Sequence, residues 1–361
     1  MGNQGLQLDL EEILAKAVNG LKPDRREVLF ILNLVERDAI EKLFQAARAL
    51  RNHYFGSKVY LYGFIYFSTY CRNNCTFCYY RQSNKVSPRY RKTRKEIIEA
   101  ALKLTESGIH LLDLTMGEDQ YYRNVHFEEL IGTIFEIKEQ TGLPLMISPG
   151  VVPRDVLKEF KQIGVDWYAC YQETHNRELF KRIRLNQSYD ERLNLKYYAH
   201  ELGMLIEEGL LAGIGESTED LYHSFEVMDS ISADQVRVMS FVPQKGTPLE
   251  KLQPIPRLRE MLVIAVMRLL FPDKLIPASL DVDGISGLKQ RLNAGANVVT
   301  SIIPPDRGLM GVSQSTLDIQ EGGRSVDGIV PILEECGLTP ASRRDYATWV
   351  EKQKTNLLKI M

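Results

Sequence analysis

Residues 58–80, KVYLYGFIYFSTYCRNNCTFCYY, decide how the rest of the chain is read. Residues 58–67 are dominated by β-branched and aromatic side chains and read as a strand. The strand runs almost directly into Cys71, Cys75 and Cys78, a CxxxCxxC run. Thiolates hold iron–sulfur clusters, and a cubic four-iron cluster closed by protein alone takes four of them. Three thiolates leave one iron open to a ligand, as a catalytic zinc site keeps one position for its reactant. The other reading is a structural zinc site, with Cys170, Cys336 or a histidine as the fourth ligand. Against it, no second CxxC pair and no HxxxH lies nearby. Phe77, Tyr79 and Tyr80 also make the loop apolar for a zinc knuckle.

Working outward, similar β-rich runs recur at 110–117, 144–150, 166–174, 204–213, 235–243, 275–281 and 297–304. Amphipathic helical stretches separate them, such as 93–107, where Thr93 and Glu96 form a capping box. Eight apolar strands alternating with helices predict an α/β fold, a complete (β/α)8 TIM-type barrel. A doubly wound open sheet is the alternative. Residues 1–57 read as an N-terminal helical extension on the outside or bottom of the barrel, and 58–361 as the barrel with C-terminal helices. Chemistry in such barrels sits at the C-terminal ends of the strands. That places the cysteines on the catalytic rim, with Asp113, Glu118, Glu173, Arg237, Ser279 and Asp281 near other strand ends. Alternation puts Asp113 and Thr115 on one face, and Ser279 and Asp281 on another. A charge inside a barrel needs a partner or a ligand. An internal Asp–Arg pair stiffening the mouth is the plain structural explanation.

Composition narrows the function. A formal net charge of −2 argues against nucleic acid or an anionic membrane surface as the main partner. No apolar run approaches the ~18 residues of a membrane span. The acidic opening MGNQGLQLDLEEI lacks a signal-peptide core, and Leu6 breaks a myristoylation motif. Five cysteines, three in one cluster, do not form a disulfide framework, so a reducing, cytoplasmic setting is expected. No linker, repeat or block of like charge divides the chain. Gly213-Ile-Gly-Glu lacks the third glycine of a dinucleotide loop, and the helical His200-Glu fails as HExxH because position 204 is Met. The six histidines form no triad, and Cys336 reads as a small buried hydrophobe.

The CxxxCxxC run with an aromatic before its last cysteine, in a (β/α)8 pattern, resembles the radical S-adenosylmethionine (SAM) enzymes. The resemblance is closest to the biotin synthase and hydrogenase-maturase branch. Its most specific stretches are 51–81, DLTMGED (113–119), VRVMSFVPQKGTPLE (236–250) and residues 276–306. It implies a 4Fe-4S cluster on Cys71, Cys75 and Cys78 whose open iron chelates SAM. Met116-Gly117-Glu118 is similar to the family's Gly-Gly-Glu stretch, with Met in place of the first Gly. Phe77, Tyr171, Glu173, Arg192, Leu211 and Gly213 match other SAM-contacting positions, with Arg192 as the planar fork for the methionine carboxylate. A flavodoxin- or ferredoxin-like electron donor is implied as well. The second, sacrificial cluster of biotin synthase looks unsupported, since only Cys170 and Cys336 remain.

Within that branch the resemblance implies a mutase that rearranges L-lysine to 3-methylornithine for pyrrolysine biosynthesis. Another radical SAM reaction on a different small amine or heterocycle is the alternative. A deoxyadenosyl radical would take a γ-hydrogen, the Cα–Cβ bond would break, and the fragments would rejoin at Cγ. Lysine has two ammonium groups and one carboxylate, so its enclosure needs partners of both signs. Asp113 and Asp281 are expected at the ammonium groups, Ser279 as a hydrogen-bonding neighbour and Arg237 at the carboxylate.

Overall fold

The computed structural model describes residues 8–304 and 323–360. Three helices come first: α1 (Leu10–Val18), α2 (Arg25–Leu32) and α3 (Arg37–Phe55). Strands and helices then alternate. The first half runs β1 (Lys58–Ser68), α4 (Arg94–Glu106), β2 (Leu111–Met116), α5 (Phe127–Thr141), β3 (Leu145–Ser148), α6 (Arg154–Gln162) and β4 (Trp167–Ala169). Next come α7 (Arg177–Ile183), α8 (Tyr189–Glu201), β5 (Leu205–Ala212), α9 (Thr218–Ser230), β6 (Gln235–Ser240) and α10 (Arg257–Leu270). The chain finishes with β7 (Pro277–Ser279), α11 (Leu288–Asn293), β8 (Val298–Ile302), α12 (Val326–Glu335), β9 (Thr339–Pro340) and α13 (Arg343–Ile360). No helix among the described residues is long and apolar enough to cross a membrane.

Each expected strand is present, and β1 to β8 pair in parallel in the order β6-β5-β4-β3-β2-β1-β8-β7. A parallel bridge between Gln235 and Leu275 joins the two ends. Val236 N–H donates to Leu275 O at 3.0 Å and Leu275 N–H to Asp234 O at 3.2 Å. The sheet is therefore a barrel and not an open doubly wound sheet. Strands β2 to β8 are each shorter than the sequence pattern predicts, β4 most of all. Beyond β4 the reason is local, because Glu173 takes φ 67° and turns the strand out of regular pairing. Its backbone still bonds across to β5, from Glu173 N–H to Gly209 O and from Leu211 N–H to Glu173 O.

Alternation sorts the side chains. Leu112 and Leu114 of β2 join the core under the helices, whereas Leu111 and Asp113 face the barrel axis. The capping box expected at Thr93 forms at the start of α4. α10 is buried along its whole length from Glu260 to Leu270, because α2 and α3 pack over it and leave no face to solvent. Each apolar side chain buried there contributes roughly 1.5–3 kcal/mol.

The N-terminal end of the barrel is plugged. Tyr60, Tyr62, Leu111, Met146, Trp167, Leu205 and Val298 fill it together with Tyr346 and Trp349 of α13. Trp167 and Trp349 stack at 5.9 Å, and the Tyr62 and Tyr346 hydroxyls lie 2.9 Å apart. A closed bottom leaves the C-terminal rim as the accessible end.

Candidate active site

The cysteine loop leaves β1 and returns to it. Thr69 N–H donates to Tyr90 O at 3.0 Å and Lys92 N–H to Phe67 O at 2.7 Å. Arg89 holds the loop closed by donating to the carbonyls of Thr69, Tyr80 and Arg81. Cys71, Cys75 and Cys78 all line a cavity of about 210 Å³ at the C-terminal rim. Cys75 is buried, and its Sγ accepts a hydrogen bond from Gln187 Nε2 at 3.0 Å, with Arg184 Nη1 at 3.7 Å. Burial pushes the Cys71 thiol up to about 11, and burial beside Cys75 and Cys71 pushes Cys78 higher still. Burial and the neighbouring sulfurs therefore oppose ionisation at Cys71 and Cys78, a conflict that binding to iron removes. A glycine completes the cradle. A Cβ on Gly117 would overlap the Tyr70 carbonyl and come within 3.0 Å of the Cys71 Cβ, so the end of β2 reaches the loop only as glycine.

The donor set fits a cluster held by three thiolates. Among the described residues no three His, Cys, Asp or Glu side chains converge on a single ion. Cys336 caps α12 and is half-buried rather than fully buried, with Arg51 and Lys289 as its charged neighbours. Cys170 lines the cavity wall and is buried.

Around the cavity the charged residues are already paired. Glu118 accepts from Arg192 Nη1 at 3.2 Å, Arg72 Nε at 2.9 Å and Val151 N–H at 3.2 Å. Despite burial, these partners hold its carboxyl below the usual range. Arg192 is buried and also donates through Nε and Nη2 to Tyr171 O, at 3.2 and 2.9 Å. Glu173 accepts from Arg184 Nη2 at 2.6 Å, yet burial leaves its carboxyl above the usual range. Phe77 and Leu211 line the cavity, with the Arg184 guanidinium 5.4 Å from the Phe77 ring centre. Gly213 follows β5 at φ 94° and packs against Ile255, just outside these lining residues.

A fully buried trio supports this rim from behind. Glu208 pairs with Lys196, lies 3.7 Å from His175 Nε2, and accepts the N–H groups of Gln172 and Gly209 at 2.9 and 2.8 Å. Lys196 also donates to Cys170 O at 3.0 Å. Burial disfavours the charge, but Lys196 and His175 hold the Glu208 carboxyl down to about 2. The trio fixes residues 170–172, and Arg192 lies one turn before Lys196 on α8.

Deeper in the barrel lies a second polar layer. Asp113 is buried and accepts from Thr115 Oγ1 at 2.8 Å. Burial, then the nearby Glu207 carboxylate, raises its carboxyl to about 7. Arg237 Nε donates to Glu207 Oε1 at 2.6 Å, and the Tyr171 hydroxyl donates to Glu207 Oε2 at 2.7 Å. Asp281 accepts from Arg324 Nη1 and Ser301 Oγ, each at 2.9 Å. Its own N–H donates to Ser279 Oγ at 3.3 Å. Two of the four expected substrate residues, Arg237 and Asp281, thus belong to internal ion pairs.

The partners Glu207, Arg324, Arg184 and Gln187 were not singled out from the sequence. Glu207-Glu208 within the otherwise apolar LIEEGLLA was a usable signal, since alternation must send one carboxylate inside the barrel and the other outside. Arg324, distant in sequence and on no strand, gave none.

Residues 65–228 match the model of the radical SAM superfamily. The chain is 44% identical over 342 residues to the 3-methylornithine synthase of Methanosarcina acetivorans, covering 94% of this chain and 97% of that one. The chain belongs to the methylornithine synthase family of radical SAM proteins. A crystal structure of methylornithine synthase superposes with a TM-score of 0.89 at 42% identity, over 93% of this chain and 99% of that chain. A hydrogenase maturase subunit from Thermotoga maritima is 32% identical, over 76% of this chain and 79% of its own length. As in other members of the superfamily, the cofactors are a 4Fe-4S cluster and SAM.

Proposed function

We propose that this protein rearranges the carbon skeleton of L-lysine to 3-methylornithine. The observation that carries the reading is the charge of the deeper barrel layer. Among the described residues it holds three carboxylates, Asp113, Glu207 and Asp281, and two guanidiniums, Arg237 and Arg324. With Asp113 ionised, these described residues carry an excess of one negative charge, which complements the single net positive charge of lysine. Burying such a charge unpaired is expensive, so a cationic ligand is strongly favoured over a neutral one.

Cys71, Cys75 and Cys78 hold the cluster in this reading, and Phe77, Gly117, Glu118, Tyr171, Glu173, Arg192, Leu211 and Gly213 surround SAM. When bound, these cofactors supply a 5′-deoxyadenosyl radical able to take hydrogen from an unactivated carbon. The chain's own residues hold the substrate. Asp113 accepts one ammonium group. Asp281, fixed by Arg324 and Ser301, accepts the second beside Ser279. Arg237 turns its remaining N–H groups to the carboxylate while Glu207 fixes its plane through Nε. The aromatic plug at the barrel bottom excludes water from that side, and enclosure keeps both substrate fragments at high effective concentration. A flavodoxin- or ferredoxin-like protein supplies the electron.

The test is anaerobic reconstitution with iron and sulfide, followed by reductant, SAM and L-lysine, with products read by mass spectrometry. A lysine isomer formed only with all components is expected. Formation of 5′-deoxyadenosine with lysine unchanged would sink the substrate assignment.

A further inference from the structure

Residues 69–95 carry eight lysines and arginines and no aspartate or glutamate, in a chain of formal net charge −2. Part of that charge is neutralised, since Arg72 pairs with Glu118, Arg91 with Asp119 and Arg94 with Glu136. Lys85 is exposed and has no carboxylate partner among the described residues. Two other segments meet the loop at Cys75. Thr76 N–H donates to Ile183 O at 2.8 Å, Leu249 N–H donates to Thr76 O at 3.4 Å, and Asn84 Nδ2 donates to Lys245 O at 2.9 Å. These segments bring Arg182, Lys245 and Lys251, all exposed; Lys245 and Lys251 have no carboxylate partner among the described residues, and Arg182 has only the nearby Glu178, itself paired with Lys181. Glu250, beside them, accepts the Gly246 N–H at 2.9 Å. Val86, half of it exposed, lies among the cations and packs on Gly246.

We propose that this rim of Lys85, Arg182, Lys245 and Lys251 around Val86 docks an acidic one-electron carrier protein. The proposal rests on the radical reading above. Electron transfer falls off steeply with distance, so a carrier must approach the cysteine loop. The inner side of that loop faces the cavity, which cofactor and substrate occupy, so the outer side is the open route. A charged rim with a small apolar centre suits a transient electron-transfer encounter, steered by charge and released quickly. The carrier gives up one electron and is oxidised by one; the cluster gains it.

The experiment titrates reduced flavodoxin, an acidic carrier, into the reconstituted enzyme and reads binding directly, at about 50 and 300 mM salt. Lys85→Glu with Lys245→Glu is expected to weaken binding roughly tenfold or more at low salt. Flavodoxin-driven 5′-deoxyadenosine formation is expected to fall with it, while the dithionite-driven rate stays unchanged. Lys245→Ala alone, a milder change that guards against misfolding, is expected to weaken binding a few-fold. Lys158→Glu with Lys352→Glu changes net charge equally on other faces and is expected to leave binding nearly intact. Equal weakening by that control pair, or wild-type affinity in both rim variants, overturns the docking surface. Loss of the dithionite-driven rate in the wild-type enzyme overturns the radical reading instead, and the docking proposal with it.

Discussion

At the cysteine loop, each carboxylate lining the cavity has a guanidinium partner: Glu118 has Arg192 and Arg72, and Glu173 has Arg184. One layer deeper, Asp113 accepts from the Thr115 hydroxyl and has no ion pair among the described residues; Arg237 lies near enough to lower its carboxyl somewhat, but burial and Glu207 leave it raised to about 7. The upper ring sets three guanidiniums against two carboxylates, so no carboxylate there lacks a partner before anything binds. Among the described residues the lower layer has one carboxylate more than it has guanidiniums. Burying that charge costs the free protein stability, which a bound ammonium group restores. In the proposed reading, selection of the substrate is therefore concentrated in the deeper layer.

The largest effect expected on the upper region is from Cys71→Ala, which removes bound iron and all turnover together. Iron content and the visible absorbance of the reconstituted variant check this, and retained iron with turnover would undo the metal assignment.

Below, Arg237→Ala should lower lysine turnover by more than about 10³-fold while SAM cleavage without lysine persists. It also strands Glu207 in the core, at a cost of about 3–5 kcal/mol in denaturant unfolding. Adding Glu207→Gln should restore stability without restoring turnover. If Arg237→Ala left stability unchanged, Arg237 and Glu207 would not be coupled as described.

Asp113→Asn is next. For the wild type, kcat/KM for lysine should rise as pH increases through about 7, where the carboxyl ionises. The variant should lose that limb and fall by about 30- to 100-fold above it, the worth of one charged hydrogen bond. Stability has the opposite sign. A carboxyl raised in the folded state makes the wild type lose stability as pH rises from about 4 to about 7. Asp113→Asn should accordingly be the more stable protein at pH 8, by a few kcal/mol, and equal to wild type near pH 3. A wild-type rate flat across pH 7 would remove the contrast between the two layers.

The smallest effect is expected at Arg72, whose side chain is 38% exposed. Arg72→Ala leaves Glu118 held by Arg192 and Val151, so the KM for SAM should rise only a few-fold and stability should change by about 0–1 kcal/mol. A collapse of activity there would show that the ring is less redundant than its geometry implies.

The sequence showed the barrel because eight β-rich runs recur at regular intervals, and it brought the three thiols forward because they fall within a single loop. Gly117 and Glu118 were visible for the same reason, being local to one strand end. Arg237 and Asp281 were identified as charges inside the barrel, but not as members of ion pairs. Their partners come from β5 and from residue 324, and no local pattern links them.

What the chain determined by itself are the features encoded within a few residues of one another. These are strand periodicity, the capping box at Thr93, the CxxxCxxC spacing and the glycine that lets β2 approach the loop. What only the tertiary structure decided is the charge state of the cavity. Pairing depends on which side chains meet across the barrel. The energy of an unpaired carboxylate depends on its burial, and neither is a property of any one segment of sequence.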